Sequence, residues 1–352
     1  EISLEAGAGE SAGFGDTAYR ELGGEVVSDP RALLQQAGFL LKVTPPSSAP
    51  DRNEIGWLRP GTCYLGSLMP LRNLDAVRAL AAAGVTAFST DAIPRTTRAQ
   101  AMDTLSSMAN ISGYKGVLLA AAELNRYFPM LTTAAGMVTP ARVFVIGAAV
   151  AGLQAIATAR RLGANVLATD VRPEVKEQIE SVGAKYVGIE LRDVASAGGG
   201  YAKELSPEDQ ARQRQLLVEQ CAQVDVVITT ALIGGVFAPR LITADMVRSM
   251  KPGAVIVDLA ADGGGNCELS RPGETTTVGA VTILAPLNLA ATMPNHASLL
   301  FSRNLTAFLQ AFTRDKTFQL DFNDDIQAGA VITHGGEVKH ARTREALEKA
   351  GT

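Results

Sequence analysis

Residues Arg142 to Gly163 read Arg-Val-Phe-Val-Ile-Gly-Ala-Ala-Val-Ala-Gly-Leu-Gln-Ala-Ile-Ala-Thr-Ala-Arg-Arg-Leu-Gly, an apolar strand, a glycine turn and a helix that stops at glycine. Such a unit binds the pyrophosphate of a dinucleotide. Gly147 permits the sharp turn, Gly152 lets the helix pack closely on the strand, and the first helical N–H groups, around Ala149 and Val150, face the phosphates. A second apolar run ends at Asp170, followed by Val171 and Arg172. A carboxylate there binds the adenosine ribose hydroxyls and repels a 2′-phosphate, so NAD(H) is expected over NADP(H), although Arg172 offers that phosphate a cation. One residue departs from the G-x-G-x-x-G pattern: Ala149 puts a methyl group where the middle glycine lets backbone approach the pyrophosphate. Two glycines alone would be ordinary turn residues; strand, helix and carboxylate in this order carry the nucleotide reading.

Other segments compete with this one. Thr229 to Gly235 leaves a predicted strand at the carboxyl edge of the sheet, where such folds bind ligands, so Thr230, Ala231 and Leu232 join the candidate site, a plain strand exit being the alternative. Gly7, Gly9 and Gly13 have the wrong spacing, and Glu10 would face a phosphate; this is read as a turn. Ala195 to Tyr201 is a glycine-rich excursion, either a loose connection or a lid. His296, His334 and His340 make no metal set, and no GxSxG or paired carboxylates offer hydrolytic chemistry. Cys63, Cys221 and Cys267, odd in number and far apart, suit neither a disulfide framework nor a zinc site and point to a reducing compartment.

The elements that must position these residues follow from periodicity. With 352 residues, 47% of them hydrophobic, the chain can bury two cores. A net charge of −4 supplies no basic field for nucleic acid. The most apolar stretch, Val143 to Ala159, is interrupted by Gly147, Gly152 and Gln154 and closed by Arg160 and Arg161, which makes a poor membrane span. Apolar runs at Phe39–Val43 and Val85–Phe88 flank a helical stretch from Leu71 to Ala83, and residues 1–4 read as a strand. From Thr97 to Tyr127 apolar residues recur at helical spacing, in one helix or two, with Gly113 and Gly116 able to break the run. Strands at Arg142–Ile146, Asn165–Thr169, Val224–Thr229, Ala254–Leu259 and Val281–Leu284 alternate with helices at Val150–Leu162, from Pro173 and at Thr243–Met250. A helix at Asn304–Phe312 and a hairpin of Gln319–Phe322 with Ala330–Thr333 follow. The fold class is therefore α/β: two Rossmann-like domains with parallel doubly wound sheets, joined by long helices. The expected division is 1–104 plus 312–352 for the first domain and 105–311 for the nucleotide domain.

Over most of its length the sequence resembles the NAD(H)-binding domain I of proton-translocating NAD(P) transhydrogenase, a relative of alanine dehydrogenase. The resemblance rests on Pro94 to Ser107 (Pro-Arg-Thr-Thr-Arg-Ala-Gln-Ala-Met-Asp-Thr-Leu-Ser-Ser), Val150 to Ala157, Ala168 to Arg172, Gly200 to Glu204, Ile228 to Ile233, and Gly264-Gly265-Asn266-Cys267. It implies that Arg95, Gln100, Asp103 and Ser106 lie beside the nicotinamide ring. Arg95 and Asp103 would orient the ring, Ser106 would assist, and Gln100 would reach toward NADP(H) on a partner component. Hydride transfer needs the ring held at contact distance, which paired donors and acceptors on its carboxamide provide. Without the resemblance, this segment reads as a charged, capped helix start. Tyr201 maps onto a mobile loop that closes over the nucleotide. The resemblance further implies a homodimer, a separate NADP-binding component and a membrane-spanning component that moves protons. This chain itself would be cytoplasmic and peripheral to the inner membrane.

Two rival readings remain. An alanine dehydrogenase needs a substrate-binding Lys and a His; Lys42 matches, but the loop that would carry the His reads Cys63-Tyr64-Leu65-Gly66-Ser67, with glycine at the position. A non-catalytic NAD-binding protein is the other. Beyond Ala149, Gly234 stands where the family usually has Pro, Pro286 to His296 diverges, and the family's first strand and basic stretch are absent, which suggests a missing upstream segment.

Overall fold

The computed structural model describes residues 1–189, 206–232 and 238–350. The chain divides into two compact units, Glu1–Ser107 with Met293–Thr352, and Met108–Thr292.

The second unit is built on seven strands: β1 (Arg142–Ile146), β2 (Asn165–Thr169), β3 (Lys185–Tyr186), β4 (Val226–Thr229), β5 (Val255–Asp258), β6 (Thr275–Val278) and β7 (Val281–Leu284). Their order is 3-2-1-4-5-7-6. All neighbours run parallel except β6, which returns antiparallel on β7. Strand residues alternate between two buried faces: Val143 and Val145 of β1 join Ile156, Val166 and Val257 on one side, while Phe144 and Ile146 join Val227, Ile256 and Ile283 on the other. Burial on both faces explains why these strands read as continuous apolar runs. The edge strand β6 is Thr-Thr-Thr-Val, with two of its threonines exposed, and so left no apolar run to find in the sequence. The strand order reverses between β1 and β4, which places a topological switch point at their carboxyl ends.

The run after Thr97 resolves into a short 3₁₀ turn, Thr97–Met102, and one uninterrupted helix, Thr104–Glu123. Gly113 does not break it. A Cβ at Gly113 would sit 2.1 Å from the Ala151 carbonyl oxygen, so the glycine lets this helix lie against the start of the helix Val150–Arg161.

The first unit holds a five-stranded sheet in which Phe39–Lys42, Cys63–Gly66 and Thr86–Ser89 are parallel neighbours. The segment read as a loop, Cys63 to Gly66, is thus the middle one of these parallel strands, with Tyr64 and Leu65 fully buried. Val331–His334 adds antiparallel to Thr86–Ser89, and Glu337–Val338 closes the far edge. The expected hairpin with Gln319–Phe322 does not form. Val331–His334 instead turns on Gly335-Gly336, both at positive φ, a two-residue turn that suits glycine pairs. Near the start, Ser3–Glu5 pairs parallel with Glu25–Val27, and Gly7, Gly9 and Gly13 lie in turns around the 3₁₀ turn Glu10–Ala12.

The division also differs from the expected one after β7. The helix Pro294–Phe312 begins ten residues earlier than its apolar spacing suggested and belongs to the first unit. Phe308 packs on Phe88 at 5.5 Å between ring centroids, on Phe312 at 5.1 Å and on Phe318 at 6.2 Å. The Asn304 amide donates to the Ala101 carbonyl at 2.8 Å. Aromatic contacts gathered from distant segments are invisible to periodicity.

A candidate dinucleotide site

The turn after β1 is held in place from three sides. Gly147, at φ +92°, takes a left-handed conformation closed to most side chains, and its N–H donates to the Thr169 carbonyl at 2.9 Å. Ala148 N–H donates to Asp170 Oδ2 at 2.8 Å, and the Thr230 hydroxyl donates to the Gly147 carbonyl at 3.0 Å. A Cβ at Gly152 would come 1.9 Å from that same carbonyl oxygen, so only glycine lets the helix start this close to the turn. The helix Val150–Arg161 has Ala149 as its N-cap and no side-chain cap. Its first N–H groups therefore look for an acceptor, and the dipole favours an anion. Ala149 and Val150 are exposed at this end.

Asp170 directly follows β2, with its side chain only 7% exposed. Besides Ala148 N–H, it accepts from Arg172: N–H and Nε to Oδ1, each at 2.9 Å, and Nη2 to Oδ2 at 3.0 Å. The hydrogen bond to Asp170 outweighs burial and keeps the guanidinium charged more firmly than usual. The Tyr186 hydroxyl donates to the Asp170 carbonyl at 3.4 Å, and burial, with the nearby carboxylate second, raises its pKa. The loop from β4 closes the set: Thr230 N–H donates to the Ile146 carbonyl at 2.9 Å, next to Ala231 and an exposed Leu232. Gly147, Ala149, Val150, Gly152, Asp170, Arg172, Thr230 and Ala231 thus lie around one switch point, with Val171 between its two charged neighbours.

Arg95, Gln100, Asp103 and Ser106 lie in the first unit. Ala99 and Met102 are buried and anchor the 3₁₀ turn, leaving Arg95 and Gln100 exposed. Asp103 accepts from Ser106 N–H at 2.8 Å and from the Ser106 hydroxyl at 2.6 Å, which is a helix cap at the start of Thr104–Glu123. Arg98 pairs with Asp324 at 2.6 Å and with Asp325. Tyr201 and Gly234 lie outside the described residues.

The residues of the amino-acid reading are also here. A Cβ at Gly66 would lie 1.9 Å from the Lys42 carbonyl oxygen and 2.5 Å from the Tyr64 hydroxyl, so no side chain fits at that position. Lys42 Nζ sits 2.5 Å from Glu54 Oε2; Glu54 is 2% exposed and also accepts from Ser47 N–H and Arg52 Nε, each at 2.8 Å. Burial pushes the Glu54 carboxyl up, but Lys42, Ser47 and Arg52 together pull it below the usual glutamate range. Among the described residues no cluster of His, Cys, Asp and Glu could hold a metal, and no helix is long and apolar enough to cross a membrane. The cysteines are free; burial pushes the Cys221 thiol up to about 12.

Family models for the alanine dehydrogenase/PNT N-terminal domain match residues 1–112, and those for its C-terminal domain match residues 116–341. The chain belongs to the alanine dehydrogenase/PNT family. Within it, an NAD(P) transhydrogenase subunit alpha polypeptide of Rhodospirillum rubrum is 42% identical over 345 residues, covering 97% of this chain and 90% of that one. The solved transhydrogenase from Sinorhizobium meliloti superposes with a TM-score of 0.86 at 44% identity, over 96% of this chain and 91% of that one. The alanine dehydrogenase of Mycolicibacterium smegmatis is 30% identical over 276 residues, 77% of this chain and 67% of that one. In sequence the chain thus stands nearer this transhydrogenase subunit than this alanine dehydrogenase.

Sequence reasoning gave no role to Asn266 or Asn304, although Asn266 lies inside one of the motifs that carry the resemblance. The available signal was a lone amide beside a glycine run.

Proposed function

We propose that this chain is the NAD(H)-binding component of a proton-translocating transhydrogenase, exchanging hydride with NADP(H) held on a partner component. The observation that carries the reading is the locked turn at Gly147, with Gly152 against its carbonyl and Asp170 on its N–H side, in a chain similar to named transhydrogenase alpha subunits. Bound NAD(H) supplies the hydride donor or acceptor; the chain supplies binding and orientation. The helix end at Ala149 and Val150 would take the pyrophosphate, and Asp170 the ribose hydroxyls. Arg172 N–H groups now fill much of that carboxylate, so a ribose diol would share Asp170 with Arg172 or displace it. A second negative charge at the 2′ position would meet Asp170 directly, which favours NAD(H) over NADP(H).

Arg95, Asp103 and Ser106 would hold the nicotinamide, with Gln100 toward the partner's nucleotide. Asp103 and Ser106 are already bonded to each other, so one side of that group is organised before any ligand arrives. The chain would act as a homodimer, peripheral to the inner membrane on its cytoplasmic side, with proton movement in a membrane-spanning component. Gly66 and the Lys42–Glu54 pair weigh against amino-acid oxidation. Mixing the purified chain with an NADP-binding component, NADH and an oxidised nucleotide analogue tests the proposal. Hydride exchange is expected; its absence when both components bind their nucleotides would overturn it.

A further inference from the structure

Asn266 is fully buried and belongs to no element of the nucleotide turn, yet it grips that turn's neighbour. Its Oδ1 accepts from Ala231 N–H at 2.9 Å, while its Nδ2 donates to the Ala231 carbonyl at 2.9 Å and to the Pro239 carbonyl at 2.8 Å. One side chain thus serves both polar groups of Ala231 just past the end of β4, as a neighbouring strand would. Ala231 in turn walls the glycine turn. A Cβ on Gly147 would lie 3.3 Å from Ala231 N, and the preceding hydroxyl, on Thr230, holds the Gly147 carbonyl.

The amide is itself held firmly. The Asn266 carbonyl accepts from Leu241 and Ile242 N–H at 2.8 and 3.0 Å. The next residue, Cys267, donates its N–H to Asp258 Oδ2 at 3.0 Å. Asp258, fully buried at the end of β5, also accepts from the Ser270 hydroxyl at 2.7 Å, the Thr229 hydroxyl at 2.9 Å and Ala260 N–H at 3.1 Å. A connected set of contacts therefore runs from a buried carboxylate, through Asn266 and the Thr230–Ala231 peptide, to the carbonyl of Gly147.

We propose that Asn266 is a positioning residue for dinucleotide binding, fixing the Thr230–Ala231 peptide so that the Gly147 turn keeps its binding shape. The inference rests on the reading that this turn holds NAD(H). A neutral amide offers the acceptor and the two donors that this geometry uses. An aspartate at the position keeps the shape but, when ionised, points acceptors at two carbonyls. When protonated it regains one donor, and its burial raises the pH at which this happens.

The test is Asn266→Asp, with NADH fluorescence titrations at about pH 8 and about pH 6 beside the wild-type chain and melting curves in parallel. The expected result is NADH affinity about tenfold below wild type at the higher pH, narrowing to within about threefold at the lower. A purely structural role would lower the melting temperature without a pH-dependent affinity gap. If Asn266→Asp binds NADH as wild type does at both pH values, or with a constant deficit, the inference is overturned. Should the variant unfold at the higher pH, Thr230→Val removes only the hydroxyl held to Gly147; weaker NADH binding is then expected, and unchanged binding overturns the inference. A wild-type chain that binds no NADH removes the reading of the turn and this inference with it, whereas binding by wild type with no effect in either variant removes this inference alone.

Discussion

At Ala149 the backbone takes φ −78° and ψ −165°, an extended conformation open to any L-residue. The departure from the glycine pattern therefore costs no backbone strain. What the methyl group changes is the surface offered to a pyrophosphate, and alanine is a poor N-cap where glycine is a fair one. Ala149→Gly is expected to tighten NADH binding about threefold with the melting temperature held or slightly raised. Weaker or unchanged binding in a fluorescence titration would show that the methyl group is not in the way. Asp103 poses the complementary question, because a helix cap and a nicotinamide ligand ask for the same residue type. Asparagine caps as well as aspartate, so Asp103→Asn is expected to keep stability within about 0.5 kcal/mol while slowing hydride exchange at least tenfold. An unchanged rate in stopped-flow exchange would reduce Asp103 to its cap.

At the scale of elements, the strand Cys63–Gly66 explains why one rival reading fails. It packs between its two parallel neighbours so closely that Gly66 abuts the Lys42 carbonyl. Relief would require backbone of two paired strands to separate. Gly66→Ala is expected to destabilise the protein by more than about 3 kcal/mol in urea melts, near the upper end of overpacking costs. A loss below about 1 kcal/mol would mean that the strand yields easily. The helix Thr104–Glu123 carries the same lesson, since Gly113 reads as a breaker until the helix start at Ala151 lies against it. In both places a glycine marks the close approach of another segment, which local spacing does not encode.

Across the whole molecule, Glu54 ties together Lys42, Ser47 and Arg52, and Arg52 reaches on to Glu5. The carboxyl's folded value lies below the ordinary one, so its stabilisation is present above about pH 4.3 and is lost as the pH falls through the folded value. Glu54→Gln is expected to lose about 1–2 kcal/mol at neutral pH, discounted because Lys42 and Arg52 are partly exposed, and to flatten the acid limb of the stability curve. Urea melts across the acid range check this, and parallel acid limbs would overturn it. The sequence by itself determined the α/β class, most strands of the nucleotide sheet and the turn from Gly147 to Asp170, because strands buried on both faces and a glycine-capped helix leave local, contiguous signals. Tertiary structure alone decided that Cys63–Gly66 is a central strand, that Pro294–Phe312 joins the first unit, and that Asp170 shares its charge with Arg172. It also decided that Asn266 holds the peptide beside Gly147. Those outcomes depend on which segments share a face or a hydrogen bond, and local periodicity does not encode that choice.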